Sequence, residues 1–277
     1  MKPTVYRILS LMLFCSFSGS LFAQTYRILL SNDDGIDSPL LATLRQELAA
    51  LPGVEIVVSA PNENMSGSSH ASDAPPIVVD RIMRENEIFG YAVHGKPADA
   101  VRFGLVELGK DDPFDLVVSG INLGANVGDV SHLSGTVGAA MEAIYLGVPA
   151  IAISQEVRDV NTEASAKFAA QLVARYQREG APDGILISIN IPAGELKGVV
   201  VRPMGDSYLQ TASYPLIEQA DNRSTYDRER IIVPSTDSTT DTFAFQQGYI
   251  TLTPLKFDWT AYDFIDDVES WNLQLIE

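Results

Sequence analysis

The first two thirds of the chain alternate short apolar runs with segments whose apolar residues recur at helical spacing. Residues 26–30 form an apolar run, residues 39–51 carry leucines three or four positions apart, and residues 54–59 form a second apolar run. A strand, a helix and a strand in this order make a βαβ unit. The pattern therefore predicts such a unit at the start of the fold.

The same alternation continues to about residue 190. Helical spacing predicts further helices over residues 99–108, 137–146 and 168–176. Apolar runs predict buried strands over residues 116–118, 150–153 and 185–189. Continuous apolar strands between helices are typical of parallel sheets that are covered on both faces. The predicted fold class is therefore α/β, with a doubly wound, mostly parallel, Rossmann-like sheet.

The helical pattern fades after Pro192. The segments that read as strands beyond it are residues 199–201, 231–233, 243–245 and 249–252. We therefore expect an α/β domain over residues 24–195, which carries the chemistry, and a β-rich C-terminal extension over residues 196–277.

The first 23 residues have the pattern of a secretory signal peptide. Lys2 and Arg7 precede an apolar stretch over residues 8–17, and small residues then lead to Ala23. The pattern predicts cleavage near Ala23 and export, to the periplasm if the cell is bacterial, with no membrane anchor after processing; an uncleaved anchor is the alternative. Cys15, the single cysteine of the sequence, lies in this segment, so the processed chain would carry no thiol.

Composition narrows the class of partner. The 277 residues include 36 acidic and 19 basic side chains, which gives a formal net charge of −17. That charge repels a polyanionic backbone, so we expect no binding to nucleic-acid duplexes. It does not exclude one local anion site, provided that the site supplies its own positive potential.

Two adjacent acids follow the first predicted strand, in the sequence Ser-Asn-Asp-Asp-Gly over residues 31–35. In a doubly wound fold the carboxyl ends of the strands face the ligand crevice, which places Asp33 and Asp34 there. Two carboxylates at such a short separation repel each other, and a hard divalent cation such as Mg²⁺ or Mn²⁺ relieves this repulsion. The alternative interpretation is a solvated turn in which one of the acids caps a helix.

Two more polar loops follow predicted strands. Residues 60–70 are rich in hydroxyl and amide side chains, and residues 119–128 contain three glycines and Asn122. Ser134 and Thr136 then open a predicted helix, and a helix N-terminus attracts phosphate. Three such loops at neighbouring strand ends predict a metal-assisted phosphate site.

The separated motifs resemble those of the SurE family of metal-dependent 5′/3′-nucleotidases, the survival-protein phosphatases. The resemblance covers roughly residues 26–262, and its segments occur in the family's order. They are residues 28–35, 60–67, 95–101 with Gly-x-Pro-x-Asp, 118–140, 190–192 and 253–255.

The resemblance implies a set of site residues. The implied metal ligands are Asp33, Asp34, Ser66 and Asn122. The residues implied around the phosphate are Asn126, Ser134, Gly135 and Thr136, and those implied in catalysis are Asp33, Asp34 and Asn126. Two positions depart from the family pattern: Lys96 stands where threonine is usual, and Met65 stands where a basic residue more often precedes the serine.

The expected activity is hydrolysis of phosphomonoesters, with nucleoside monophosphates as substrates and a divalent metal, Mg²⁺ or Mn²⁺, as cofactor. Either water attacks the phosphorus with Asp33 as general base, or Asp33 attacks directly; water is favoured because a ligated carboxylate is a poorer nucleophile. His132 could protonate the leaving group, although a surface role is favoured for it.

Two other classes remain open at this point. One is a metal-dependent nucleotide-sugar transferase, and the other is a non-catalytic phosphate-binding or nucleotide-binding module, including a receiver-like domain. The resemblance also implies a homodimer or homotetramer in which the C-terminal extension serves as an oligomerisation arm.

Overall fold

The computed structural model describes residues 25–275. Its strands are Tyr26–Ser31 (β1), Val54–Pro61 (β2), Val78–Arg84 (β3), Glu87–His94 (β4), Leu116–Leu123 (β5), Ala150–Gln155 (β6), Leu186–Ile191 (β7), Gly198–Val201 (β8), Leu209–Ser213 (β9), Leu216–Ala220 (β10), Arg223–Tyr226 (β11), Glu229–Ile232 (β12) and Tyr249–Leu255 (β13). Its α-helices are Pro39–Ala49 (α1), Pro97–Phe103 (α2), Gly135–Tyr145 (α3), Thr162–Glu179 (α4), Asp241–Gln246 (α5) and Ile265–Glu269 (α6). A π-helical turn, Gly104–Leu108, extends α2.

A nine-stranded sheet forms the centre, in the order β3-β4-β2-β1-β5-β6-β7-β13-β8. The six strands from β4 to β7 run parallel. Strand β3 is antiparallel to β4, and β13 is antiparallel to β7. The predicted α/β class with a doubly wound, mostly parallel sheet is therefore confirmed.

The sheet is buried on both faces because helices cover each side. Alternate residues of a strand point to opposite faces, so Ile28 and Leu30 join the hydrophobic cluster under α1 and α4, and Leu29 joins the cluster under α2 and α3. Helix α1 supplies Leu41, Leu44 and Leu48 to its side, as its leucine spacing predicts. Truncating one of these leucines to alanine would cost about 2–5 kcal/mol of stability.

One predicted strand is wrong. Residues 243–245 lie in helix α5, which begins after Thr240; the side chain of Thr240 accepts a hydrogen bond from the backbone N–H of Phe243 and so caps the helix. The aromatic alternation over three residues resembles a strand, but Phe245 instead packs on Tyr208 with ring centroids 5.7 Å apart. Packing of the aromatic rings and the cap outweigh the weak local strand pattern.

The C-terminal extension contains additional strands, as expected. Strands β9 and β12 pair with each other, as do β10 and β11, in two small antiparallel sheets, whereas β8 and β13 lie in the nine-stranded sheet. The division of the chain at residue 196 stays a prediction. The predicted signal peptide and its cleavage site at Ala23 lie outside the described residues. Between residues 25 and 275, no helix combines the length and the apolar character needed to cross a membrane.

Candidate metal and phosphate site

The loops that carry the predicted site leave adjacent strands at the same edge of the sheet. Strand β1 pairs in parallel with both β2 and β5, and Ser31 lies opposite Ser119. The acids that follow β1, the polar loop that follows β2 and the asparagines at the end of β5 therefore meet there. This is the crevice position at which α/β sheets bind ligands.

Asp33 is buried, with 2% of its surface exposed. Its carboxylate accepts a hydrogen bond from the Thr136 hydroxyl at the start of α3. Burial raises the pKa of Asp33 to about 6; the Thr136 hydrogen bond opposes this rise and the charge of Asp34 adds to it. The carboxylate is thus held in one orientation but is not neutralised by any cation of the described chain.

Asp34 is half-buried and lies between the other two loops. Its Oδ1 accepts from Asn64 Nδ2 at 3.1 Å, and its Oδ2 accepts from the backbone N–H of Leu123 at 3.2 Å. Burial raises the pKa of Asp34, and the hydrogen bond from Leu123 lowers it in part. One carboxylate therefore ties together three chain segments.

The second loop is fixed to the first through its backbone. The N–H of Met65 donates to the carbonyl of Asp33 at 2.7 Å, and the N–H of Ser66 donates to Asn64 Oδ1 at 3.0 Å. These bonds hold Ser66 next to the two acids while its side chain remains exposed. Ser66 is therefore placed beside Asp33 and Asp34, and its role as a metal ligand stays a prediction.

Helix α3 begins directly against Asp33. Ser134 is its N-cap and accepts from the N–H of Val137 at 3.1 Å. A Cβ on Gly135 would lie 2.7 Å from Asp33 Cβ and 2.6 Å from Ser68 Oγ, so only glycine fits at this position. The close approach brings the positive end of the helix dipole and its free N–H groups to the acids, where an anion would be stabilised.

The two asparagines of the third loop have different environments. Asn122 donates through Nδ2 to the carbonyl of Gly124 at 2.6 Å, so the oxygen end of its amide is the end that can ligate a metal. Asn126 donates through Nδ2 to Ser154 at 2.8 Å, and its backbone N–H donates to Asn190 at 2.7 Å. Asn126 is thus held firmly, and its contact with phosphate stays a prediction.

The donor set suits a hard divalent cation. It consists of two carboxylates, one amide oxygen and one hydroxyl, which are the oxygen ligands that Mg²⁺ and Mn²⁺ prefer. Within residues 25–275, Asn32 Oδ1 and Ser68 Oγ are buried without a hydrogen-bond partner beside this set. In the same part of the chain no three His, Cys, Asp or Glu side chains converge as a metal cluster. The chemistry of the residues thus fits a cation bound through two acids and neutral oxygens.

The two departures from the family pattern are neighbours in space. Lys96 Nζ lies 3.8 Å from Met65 Sδ, so the ammonium group reaches the second loop at the residue that precedes Ser66. The lysine is also the N-cap residue of α2, where its N–H donates to Asp99 Oδ2 at 3.0 Å. A positive charge therefore lies close to Ser66 although residue 65 is apolar.

Sequence reasoning assigned no role to several residues that the structure brings to the site. Asn64 donates a hydrogen bond to Asp34, and Ser68 lies beside Gly135, where the start of α3 meets Asp33. Their signal is weak because both lie in a loop whose polar residues look alike in sequence. Glu142, fully buried in α3, could have been noticed as an acid within a run of small apolar residues.

The three histidines do not converge. His70 Nε2 lies 2.7 Å from Glu142 Oε2, His94 Nε2 lies 2.7 Å from Asp80 Oδ2, and His132 is exposed in a 3₁₀ turn that precedes α3. His94 belongs to β4. The contact of His70 with Glu142 joins the second loop to α3.

Comparisons with known proteins agree with these motifs. A family model described as survival protein SurE matches residues 28–211. The chain is 34% identical over 252 residues to a protein named 5′-nucleotidase SurE from Syntrophobacter fumaroxidans, covering 89% of this chain and 100% of that protein. It is 37% identical over 258 residues to a protein of the same name from Vibrio campbellii, covering 90% and 95%. The crystal structure of the SurE protein from Aquifex aeolicus superposes with a TM-score of 0.74 at 32% identity, covering 89% of this chain and 100% of that one.

Proposed function

The chain belongs to the SurE survival-protein family, and from this membership we propose that it is a divalent-metal-dependent phosphomonoester hydrolase that acts on nucleoside monophosphates. The observation that carries the proposal is the contact of Asp33 with the N-terminus of α3. The acid pair can hold a cation, and the helix end can hold an anion. The two are in direct contact there. A phosphoryl group bridges such a pair.

Asp33, Asp34, Ser66 and Asn122 would hold the metal ion, and their oxygen donors favour Mg²⁺ or Mn²⁺. When bound, this ion polarises a phosphoryl oxygen and offsets the negative charge of the transition state. Lys96 adds a positive charge on the side of the second loop.

The first turn of α3 would bind the phosphoryl oxygens. The Ser134 oxygen accepts from Val137, so its hydrogen is available to a phosphoryl oxygen. The Thr136 hydroxyl donates to Asp33 and therefore orients the carboxylate. The N–H of Val137 is taken by Ser134, so the N–H of Gly135 would be the backbone donor to the anion. Asn126, held by Ser154 and Asn190, would supply a further donor.

Asp33 would accept the proton of the attacking water. Its carboxylate is buried and the Thr136 hydroxyl holds it in one orientation, which would suit a general base. Direct attack by Asp33 would instead leave an aspartyl phosphate. Mass spectrometry after rapid quenching distinguishes the two routes, and a phosphorylated Asp33 would refute the water route.

Chelator-treated protein tests the function. Mg²⁺, Mn²⁺ or Zn²⁺ is added back in the presence of adenosine monophosphate, polyphosphate or p-nitrophenyl phosphate, and inorganic phosphate is measured. We expect metal-dependent release from the monoesters without an acceptor, whereas a transferase would need an acceptor and a binding module would show no turnover.

Asp34→Asn should lose this activity and keep its fold. Asp37→Asn is the matched control, because Asp37 lies three residues away, is exposed and pairs with Arg84 at 3.0 Å. An unimpaired Asp34→Asn would refute the site assignment.

We also propose export and self-association. Lys2, Arg7 and the apolar stretch that follows support export, and the mass of the protein recovered from a periplasmic extract would test cleavage at Ala23. Exposed apolar side chains on β10 and β12, among them Ile217 and Ile232, support an oligomerisation arm, and light scattering would test it.

A further inference from the structure

An apolar pocket of about 470 Å³ adjoins the helix end that would hold the phosphate. Val137 and Met141 of α3 form one wall, and Met204, Leu255 and Trp259 form the others. Ser134, the N-cap of α3, also lines it. Pockets of roughly 300–1,000 Å³ with apolar walls and a few polar groups are typical of small-molecule sites.

The chain that follows β13 is held in place over this pocket. Phe257 packs on His70, with ring centroids 5.5 Å apart, and on Tyr145 at 5.2 Å. Asp258 accepts hydrogen bonds from the N–H of Thr260 at 2.9 Å and from the hydroxyl of Tyr262 at 2.7 Å. Phe257 thus attaches the chain to the second loop and to α3 just before Trp259, and the Asp258 hydrogen bonds hold the turn that follows.

Trp259 is a large aromatic side chain with 76% of its surface exposed. Its indole meets the His132 ring edge to face, with centroids 6.0 Å apart and planes at 83°. An exposed indole that is oriented by a neighbouring ring offers an open π-face at the mouth of the pocket. The described chain covers that face with no other aromatic ring.

We propose that this pocket receives the leaving group of the phosphomonoester, and that Trp259 and His132 bind an aromatic nucleobase and thereby determine substrate specificity. The inference rests on the proposed function, because Ser134, which would bind the phosphate, also lines the pocket and so places the ester group beside it. Stacking of bases on aromatic side chains tolerates different bases, so the expected substrates are nucleoside monophosphates as a class.

Charge favours a nucleoside over a polyanion as the occupant. The pocket contains one ammonium group, Lys256, and one carboxylate, Asp258, so its fixed charges nearly balance. Polyphosphate would require an excess of cations along its length. The ring of His132 can contact ribose or the edge of a base. The Ser69 hydroxyl donates to the His132 carbonyl at 2.6 Å, so it can accept a hydrogen bond from the same groups.

Kinetics on two substrates test the proposal. For Trp259→Ala we expect KM for adenosine monophosphate to rise roughly tenfold with little change in kcat, and KM for glycerol 2-phosphate to stay unchanged, because only the nucleotide can stack. Trp259→Phe should recover most of the affinity. Trp271→Ala is the matched control, since Trp271 packs on Phe264 outside the pocket and is the only other tryptophan of the sequence.

A binding measurement keeps this inference separate from the proposed function. In Trp271→Phe, Trp259 is the only tryptophan, so its fluorescence reports the pocket directly. We expect adenosine, added without metal, to quench this fluorescence more than ribose does. Equal responses to adenosine and ribose, or an unchanged KM in Trp259→Ala, would overturn the inference and leave the phosphatase proposal standing. A wild-type protein that releases no phosphate from any monoester would instead refute the proposed function.

Discussion

Asp33 and Glu142 are both buried carboxylates, but their surroundings move their pKa values in opposite directions. Burial raises the pKa of Asp33 to about 6, and the neighbouring Asp34 adds to the rise. Burial alone would also raise the pKa of Glu142, but hydrogen bonds with His70 and Arg102 lower it below its usual range. Each of these partners lies 2.7 Å from a Glu142 oxygen.

The difference separates an acid whose charged partners lie within the chain from an acid pair that has none in the described chain. Glu142 has its partners within the chain, and the contacts join α3 to α2 and to the loop after β2. The Asp33–Asp34 pair is held in place by neutral donors alone, so its charge is not compensated. Acids with strongly shifted pKa values in a cleft are typical of functional sites. Here the uncompensated charge is negative, so a bound cation would balance it.

Removing the charge at Asp33 should give the largest effect. We expect Asp33→Asn to lower kcat by about 10²- to 10³-fold, because the carboxylate that would accept the proton of the attacking water is lost. Without metal, the same variant should be at least as stable as the wild type, since an unpaired buried charge is removed. Phosphate release and thermal unfolding of one preparation check both expectations. A clear loss of metal-free stability would contradict the view that this acid is uncompensated.

Glu142→Gln should show the reverse pattern. Breaking a buried ion pair costs about 3–5 kcal/mol, and because the Arg102 side chain is 42% exposed we expect about 2–3 kcal/mol here. The value of kcat should change only a few-fold. Denaturant unfolding measures the cost, and Glu107→Gln, at an exposed acid of the π-helical turn, is the control, with a change within about 0.5 kcal/mol. If Glu142→Gln proved as stable as this control, the structural role would be refuted.

The pH dependence of the free energy of unfolding should distinguish the two acids further. In chelator-treated protein the pKa of Asp33 is about 6 in the folded state and 3.8, its ordinary value, in the unfolded state. Its contribution to the free energy of unfolding is therefore fully present below pH 3.8 and is lost as the pH rises through 6. We expect a loss of roughly 1–3 kcal/mol across this window. For Glu142 the pH dependence is reversed, because its pKa is lowered in the folded protein. Its contribution to the free energy of unfolding is present above its ordinary pKa of 4.5 and is lost as the pH falls through the lowered pKa. Asp33→Asn should flatten the profile between pH 4 and 6, and an unchanged slope would count against the assignment.

The smallest effect concerns the neutral donor to the acid pair. Asn64→Ala removes the hydrogen bond to Asp34 Oδ1 and should raise the metal concentration for half-maximal activity about tenfold. Asn62→Ala is the matched control in the same loop, because Asn62 bonds to Val93 through its backbone N–H. Equal metal requirements in the two variants would show that Asn64 does not orient Asp34.

The site was predictable to the extent that its chemistry is local. Asp33 and Asp34 are adjacent in sequence, and Ser134 caps a helix whose apolar pattern can be read directly. Asn64 could not be assigned, because its contact with Asp34 spans 30 residues and its loop contains other polar side chains. Glu142 and His70 are 72 residues apart, and nothing in either segment indicates the other.

The sequence by itself indicated the α/β class, the alternation of strands and helices that gives β1, β2, β5, β6 and β7, and the loops that carry the acids, because hydrophobic periodicity and loop composition act over a few residues. Only the tertiary structure decided that residues 243–245 form a helix, that Glu142 is paired and Asp33 is not, and that Trp259 lies beside the end of α3. These outcomes depend on contacts between distant segments. Their free energies come from burial and charge in the folded chain, which no short stretch of sequence contains.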